Sequence, residues 1–530
     1  LETVPPPWTC LMKDWIYQNR YGLTLLFLAA IILLPFLGST PLIDPDEPVY
    51  GETAREMLLS GDWLSPRIFG EYWYDKPPLF YWLEMISYSL FGITDYTSRL
   101  PSALLGIGTI FLVYTQCKLI FNKKIAFLSA VILLTSLGFL YVVKAAITDM
   151  TLMFTLTAAM LLFYRGCYYP AYACCGLALL AKGPVGYGFP ALIMLIYILY
   201  RRRWYLLKEM KIPQGILIAF LVGLPWYVAM YHVHGNAFLD TFIGYNNLTR
   251  FAAPEHPGYN SFFYYVPILL GAIMPWMPAL FPALHRLWKK RDPFKDALIF
   301  CLIWAGFIFI FFSISKTQLV TYIAPMFPPV AILIGWYFYR CRIEKHIPAV
   351  TLCIAYVTGI VLIACNAIPL HDSAAYFSTA ILWSSVLLTS AICIPSMLLY
   401  RRHWRGAFIT AITAMIVLTW TAFSYIIPLF DEYITSHHSA QVMTSLYDGH
   451  SDVYIEKFLR PGIAFYSGLY GLEWDSTKEM NFHDLWERPE KSYVIMTRKA
   501  FDKLALTQPI IKDFIIIGNT PSQFILINHY

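Results

Sequence analysis

The chain has 530 residues, of which 58% are hydrophobic and only 14% charged, with a formal net charge of +6 and a mean hydropathy of +0.55. A soluble domain carries roughly 25% charged residues, so this composition excludes a soluble globular protein and indicates a polytopic membrane protein. The positive balance is no nucleic-acid signal, because the basic residues sit in short loops between apolar runs, in the positive-inside pattern.

Residues 1–20 read as a short inner tail. Runs of about 20 apolar residues then predict spans near 21–39, 98–118, 125–143, 149–165, 171–182, 183–200, 213–232, 262–284, 297–314, 319–339, 347–369, 376–399 and 406–428. The fifth is short. The first is long and has no small-residue cleavage site after it, so it reads as a retained helix rather than a signal peptide. Basic loops alternate with the spans: Lys118, Lys123 and Lys124; Arg165; Arg201, Arg202 and Arg203; Arg286, Lys289, Lys290 and Arg291; Arg340, Arg342 and Lys345; Arg401, Arg402 and Arg405. About thirteen spans place all of these on the inner side, with the N-terminus inside and the C-terminus outside. Loops 40–97, 233–261 and 314–318 then face outward, as does the tail after 429. The cysteines all lie at or before Cys393, in or near the spans or on the inner side. No disulfide framework is implied, and Cys174-Cys175 reads as a pair of small packing residues.

The first outer loop holds the densest chemistry. It contains Asp44-Pro-Asp-Glu-Pro-Val-Tyr50, then Arg55-Glu-Met, Gly61-Asp-Trp and Tyr74-Asp-Lys-Pro-Pro78. Pro48 to Ser60 predicts an amphipathic helix, and Leu79 to Phe91 an aromatic-rich one carrying Glu84; both suit the membrane interface. Trp63, Trp73 and Trp82 read as residues that seal the outer mouth of the bundle.

No Asp, Glu, Lys or Arg falls in the interior of a long span, which argues against an ion-coupled transporter. Charges gather instead at the outer helix ends: Asp44, Asp46, Glu47, Asp75, Lys76, Lys144, Asp149, Lys182, Arg250, Glu255 and Lys316. Asp46, in a proline-bounded turn, is suited to act as a base, to bind a metal or to hydrogen-bond a sugar; the plain alternative is a helix N-cap. Asp149, at the outer start of a span, carries the same alternative. Lys76, Lys182 and Lys316 are suited to hold phosphate as point charges, against snorkelling to the interface. His256 is a loop histidine that suits a metal or substrate, although lone loop histidines usually serve neither.

Residues 429–530 shift to a soluble composition. Ser492–Met496, Phe514–Ile517 and Phe524–Ile527 read as strands, and Gln441–Leu446 and Arg498–Leu504 as helices. The fold class expected is therefore an all-α polytopic membrane domain, 21–428, followed by a small α/β domain outside the membrane.

An ordered set of segments carries a resemblance: Asp46-Glu with Tyr50, Arg55-Glu-Met-Leu and Ser60-Gly-Asp-Trp63; Asp75-Lys-Pro-Pro78 with Tyr81-Trp82; Leu90-Phe-Gly92; Asp149; Lys182-Gly183; Arg250-Phe251; Tyr264-Tyr-Val-Pro267 with Pro275-Trp276; and Lys316 with Thr321-Tyr322. In these the chain resembles the lipid A 4-amino-4-deoxy-L-arabinose transferase family, within the GT-C polyprenyl-phosphate-sugar glycosyltransferases that include protein O-mannosyltransferases. The resemblance runs to about the tenth span, and the tail matches in layout. It implies an undecaprenyl-phosphate sugar donor, a lipid A or other glycolipid acceptor, and inverting transfer on the periplasmic face of a bacterial inner membrane. Asp46 and Asp149 match the two acidic positions and are the expected catalytic residues. Glu47, Tyr50, Arg55, Asp75, Lys76, Tyr81, Lys182, Arg250, His256, Lys316 and Tyr322 are the expected substrate contacts. Three positions depart from the family pattern: Val49 where an arginine is usual, Asp75 where a glutamate is usual, and Asn247 where a histidine is expected. The glutamate and histidine of the pattern can hold a divalent metal ion, for which Asp75 and His256 are the candidate ligands here. A hydroxyl acceptor on a protein or glycan, and a lipid or glycan transporter, are the alternative readings.

Overall fold

The computed structural model of the chain describes residues 7–249, 261–289, 291–364, 378–474 and 481–529. The opening helices are α1 (Pro7–Leu33), α2 (Asp46–Ser60), α3 (Leu79–Phe91), α4 (Asp95–Ile120), α5 (Lys123–Leu134), α6 (Leu137–Val143), α7 (Asp149–Tyr164), α8 (Tyr168–Lys182), α9 (Val185–Arg201), α10 (Leu206–Glu209) and α11 (Ile212–Leu239). Among the described residues, six helices are long and apolar enough to cross a membrane, or eight if each of two bent pairs counts as one span; four shorter apolar helices accompany them. The chain is a multi-pass membrane protein, as its composition requires.

The two bent pairs explain where the expected spans at 125–143 and 262–284 fail to be straight. The first breaks by 66° between α5 and α6. There the Thr135 and Ser136 hydroxyls bond back to the carbonyls of Val131 and Ile132 at 2.7 and 2.6 Å, a competition with the helical ladder that favours bending. The second, between α12 (Tyr265–Ala272) and the Met277–Lys289 segment, turns by 109° at Pro275 and Pro278, which lack the N–H a continuing helix needs. The two breaks meet: Leu137 N–H donates to the Met274 carbonyl at 3.1 Å, and Trp276 Nε1 donates to Thr135 Oγ1 at 2.9 Å.

Beyond the membrane helices lies a five-stranded sheet. Its strands are β3 (Asp452–Glu456), β4 (Leu472–Trp474), β5 (Ser492–Thr497), β6 (Ile515–Asn519) and β7 (Gln523–Ile527), after a small hairpin of β1 (Arg67–Ile68) and β2 (Glu71–Tyr72) in the first outer loop. The order is β4-β3-β5-β7-β6, with β3 parallel to β4 and β5, and β7 antiparallel to β5 and β6. Both sheet faces are covered. Val453, Ile455, Tyr493 and Ile525 pack with Ala440, Met443 and Ile463 on one side; Val494, Met496 and Leu526 pack with Phe482, Ala500 and Ile511 on the other. That two-sided burial is why 492–496 reads as an unbroken apolar run. The parallel pair β3–β4 and its crossover helix, Arg460–Ser467, were not expected from the sequence.

Candidate active site

α2 begins at Asp46 itself, and no side-chain cap bond forms at its start. α7 likewise begins at Asp149, without a side-chain cap bond from Thr148. The N-cap alternative therefore does not describe either carboxylate. Asp149 and the last residue of α8, Lys182, are brought together because α7 and α8 run antiparallel through a short turn. The Thr148 hydroxyl fixes this end by donating to the Ala181 carbonyl at 2.7 Å, and Lys182 Nζ then lies 2.5 Å from Asp149 Oδ1. Gly183, at φ 74 and ψ −149, turns the chain immediately after the lysine in a conformation that only glycine adopts readily. The Tyr322 ring stacks under the ammonium, 4.5 Å from Lys182 Nζ.

Asp46 faces this pair. It stays solvent-accessible, yet protein surrounds it. Burial raises its carboxyl above the ordinary range, Asp149 and Glu47 raise it further, and Lys182 and Lys76 pull it down. All four groups are therefore within electrostatic reach. No side-chain hydrogen bond or ion pair engages Asp46 among the described residues. Tyr50, one helical turn on, leans on Phe80 and Tyr81 with ring centroids 5.6 and 5.9 Å away. Burial, then the fields of Tyr81, Asp75, Asp149 and Asp46, hold its phenol well above the usual range, so it remains a neutral donor. Lys76 Nζ lies 3.0 Å from both Asp75 oxygens. Tyr141, on α6, is half-exposed and within reach of Glu47, Asp46 and Asp149; no feature of the sequence marks it.

Three expected substrate contacts have other work. Glu47 is buried against Arg99: its oxygens accept from Arg99 Nε and Nη2 at 2.9 and 2.6 Å, from Ala146 N–H at 2.7 Å and from Ile43 N–H at 2.8 Å. Arg99 also donates to the carbonyls of Leu37, Thr40 and Pro41. Glu47 is thus a brace that fixes the site loop to α4, with no lone pair left for substrate. Arg99 lies in the second turn of α4, near the start of the expected span and outside its interior. Arg55 pairs with Glu52 at 2.7 Å. Nine residues at 100° each turn it about half a circle from Asp46 and place it about 13 Å along the helix. Tyr81 is 1% exposed, in a cluster with Ala54, Met57, Met85 and Tyr88, so it supports Tyr50 from behind.

Lys316 is exposed in the loop after the Lys295–Ile314 helix and has no ion-pair partner among the described residues. Arg250 and His256 lie outside the described residues, as does the side chain of Asn247. Of the two candidate metal ligands, Asp75 has both oxygens engaged by Lys76 and His256 lies outside the described residues, among which no three His, Cys, Asp or Glu side chains converge.

The C-terminal domain packs directly on the site loop. Tyr466, on the helix Arg460–Ser467, receives the Leu42 N–H at 2.6 Å and donates to Asp95, while Phe465 joins Leu42, Phe80 and Ala146. Arg460 stacks on the Phe69 ring at 3.9 Å. Phe69 sits at the tip of the β1–β2 hairpin with φ 58, a strained value for a bulky residue. Its N–H and that of Gly70 are held by Glu56 at 2.5 and 2.9 Å.

Residues 20–237 match the family described as Dolichyl-phosphate-mannose-protein mannosyltransferase. The chain is 33% identical over 330 residues to the undecaprenyl phosphate-alpha-4-amino-4-deoxy-L-arabinose arabinosyl transferase of Aeromonas hydrophila, covering 60% of this chain and 59% of the relative. It is 31% identical over 342 residues to the protein of the same name from Yersinia enterocolitica, covering 62% and 61%. The chain thus spans about three-fifths of the length of these relatives. Its fold matches the crystal structure of ArnT from Cupriavidus metallidurans bound to undecaprenyl phosphate, with TM-score 0.77 and 21% identity over 96% of this chain and 98% of that one. The resemblance seen in the motifs is borne out in these relatives, and the fold is that of the ArnT crystal structure, with a small sheet domain at the C-terminal end.

Proposed function

We propose that the chain is an inverting glycosyltransferase that moves a sugar, aminoarabinose or a relative of it, from undecaprenyl phosphate to a lipid A phosphate or a related glycolipid. The reaction takes place at the periplasmic face of the bacterial inner membrane. The observation that carries this reading is the convergence of Asp46 with the Asp149–Lys182 pair and Lys76 at one end of the helix bundle. Transfer from a lipid phosphate needs no strong acid, because the phosphate departs as a stable anion. Stabilising that anion is an electrostatic task, and Lys182 and Lys76 supply fixed positive charge for it. The acceptor phosphate oxygen attacks the anomeric carbon as the bond to the lipid phosphate breaks, and the configuration inverts. Asp149 holds Lys182 in place. Asp46, with no hydrogen-bond or ion-pair partner among the described residues, is placed to orient the donor sugar or pair with its amino group.

The raised carboxyl of Asp46 also suits a general base, which a hydroxyl acceptor on a protein or glycan requires. The purified protein, incubated with a panel of polyprenyl-phosphate sugars and with lipid A, tests both readings. Mass analysis showing a sugar phosphodiester supports the first; a sugar joined to a hydroxyl supports the second; no transfer from any donor rejects both.

A further inference from the structure

At the end of the helix bundle remote from Asp46, the fold carries a second site. α9 starts beside Lys182 and runs 17 residues, about 25 Å, to Arg201. Along α9, from Tyr187 to Ile198, runs a cavity of about 220 Å³, walled toward the far end by Phe163, Tyr172, Met194, Ile198 and Met210. Ala191, Leu195 and Leu207 also line it and are exposed on the outer surface of the bundle, so it opens toward membrane hydrocarbon. A void walled this way offers water too few polar partners, whereas a hydrocarbon chain fits it.

The chain between α9 and α11 borders the mouth. Trp204 and Tyr205, each 55% exposed, mark the headgroup level, where such rings concentrate. Arg201 and Arg203 are spent on Asp296, at 2.7 and 3.1 Å. Arg202, Lys208 and Lys211 are exposed and form no ion pair among the described residues; Lys211 rests over the Tyr169 ring at 5.1 Å. Glu209 is the one acidic residue of this connection and lies toward Tyr168. The connection therefore presents net positive charge directly beside a hydrocarbon slot.

We propose that this is a binding site for an anionic phospholipid of the leaflet opposite the active site, with one acyl chain entering the cavity past Ala191 and Leu207 and the headgroup phosphate held by Arg202, Lys208 and Lys211. A neutral lipid offers the same chain but nothing for the three cations. The inference stands independently of the reaction proposed above, since none of these residues lies at the Asp46 mouth.

Native mass spectrometry of the purified full chain tests it, with phosphatidylglycerol and phosphatidylcholine of identical acyl chains as probes. Surface cations each contribute enough to lipid binding that the wild type is expected to retain phosphatidylglycerol about tenfold better. R202Q/K208Q/K211Q is expected to erase that preference, and Ala191→Trp to reduce retention of both lipids. Equal retention of the two lipids by the wild type overturns the proposal, as does a preference that survives the triple substitution. Equal retention that Ala191→Trp abolishes also overturns it, by showing a chain slot without headgroup selection. The triple variant is confined to exposed residues, so the test holds even where Ala191→Trp fails to fold.

Discussion

Lys182 Nζ sits 2.5 Å from Asp149 Oδ1, and this pairing leaves Asp46 as the site carboxylate that no group among the described residues engages by hydrogen bond or ion pair. The charges of the pair act on Asp46 in opposite directions, Asp149 raising its carboxyl and Lys182 lowering it. If transfer needs ionised Asp46, activity rises with pH through its folded-state pKa, which lies above the ordinary aspartate value of about 3.9. Lys182→Gln removes the lowering influence and is expected to shift the acid limb of kcat/KM to higher pH. Asp149→Asn removes a raising influence and frees Lys182, so it is expected to shift the limb to lower pH. Limbs that stay in place in both variants would disconnect Asp46 from the pair.

Glu47 and Arg99 form a buried pair whose other hydrogen-bonding capacity is met by backbone groups. Removing one partner of such a pair costs about 3–5 kcal/mol. Glu47→Gln and Arg99→Met are each expected to lower thermal stability by that order, seen as a drop in Tm in detergent. The fraction that folds is expected to keep its donor KM, because Glu47 braces the loop and does not touch substrate. A large rise in KM with unchanged Tm would return Glu47 to the binding residues.

Glu84 is fully buried on α3, and neither of its oxygens is hydrogen-bonded among the described residues. Burial, and then the charge of Glu47, hold its carboxyl well above the ordinary range. A carboxyl raised in the folded state contributes stability below its unfolded pKa of about 4.3, and that contribution is lost as pH rises through the folded value. Glu84→Met removes an unsatisfied buried group, worth about 1–3 kcal/mol. The variant is expected to melt above the wild type at pH 7, with the gap narrowing toward pH 4. A lower Tm at pH 7 would reveal a partner for the carboxylate.

Tyr466 ties the C-terminal domain to the site loop through Leu42 and Asp95. Tyr466→Phe removes both hydrogen bonds while keeping the ring, at a net cost of about 1 kcal/mol for each. Faster hydrogen exchange at 42–50 is expected, with kcat lowered more than KM, since the loop carries Asp46 and Tyr50. Unchanged exchange there would reduce the domain to a neighbour.

Much of this architecture is legible in the amino-acid sequence. Leu79–Phe91 is marked by its aromatic run, and the helix occupies those residues. The strand expected at Ser492–Met496 from its β-branched run runs one residue further, to Thr497. Asp46, Asp149, Lys182 and Tyr322 were singled out by motif and position. What stayed hidden depends on distance along the chain. Glu47 and Asp46 look alike as neighbours, and only the arrival of Arg99, 52 residues later, separates a brace from a free carboxylate. Arg55 required helical phase to see that it points away. The docking of Tyr466 onto Asp95, 371 residues apart, has no local signal at all.

The most direct measurement is sugar transfer by Asp46→Asn protein from undecaprenyl-phosphate aminoarabinose to lipid A. Because Asp46 makes no hydrogen bond or ion pair among the described residues, its Tm is expected to match the wild type, while the rate falls by about 10²–10⁴-fold. Folded Asp46→Asn protein that transfers the sugar at the wild-type rate would contradict the account.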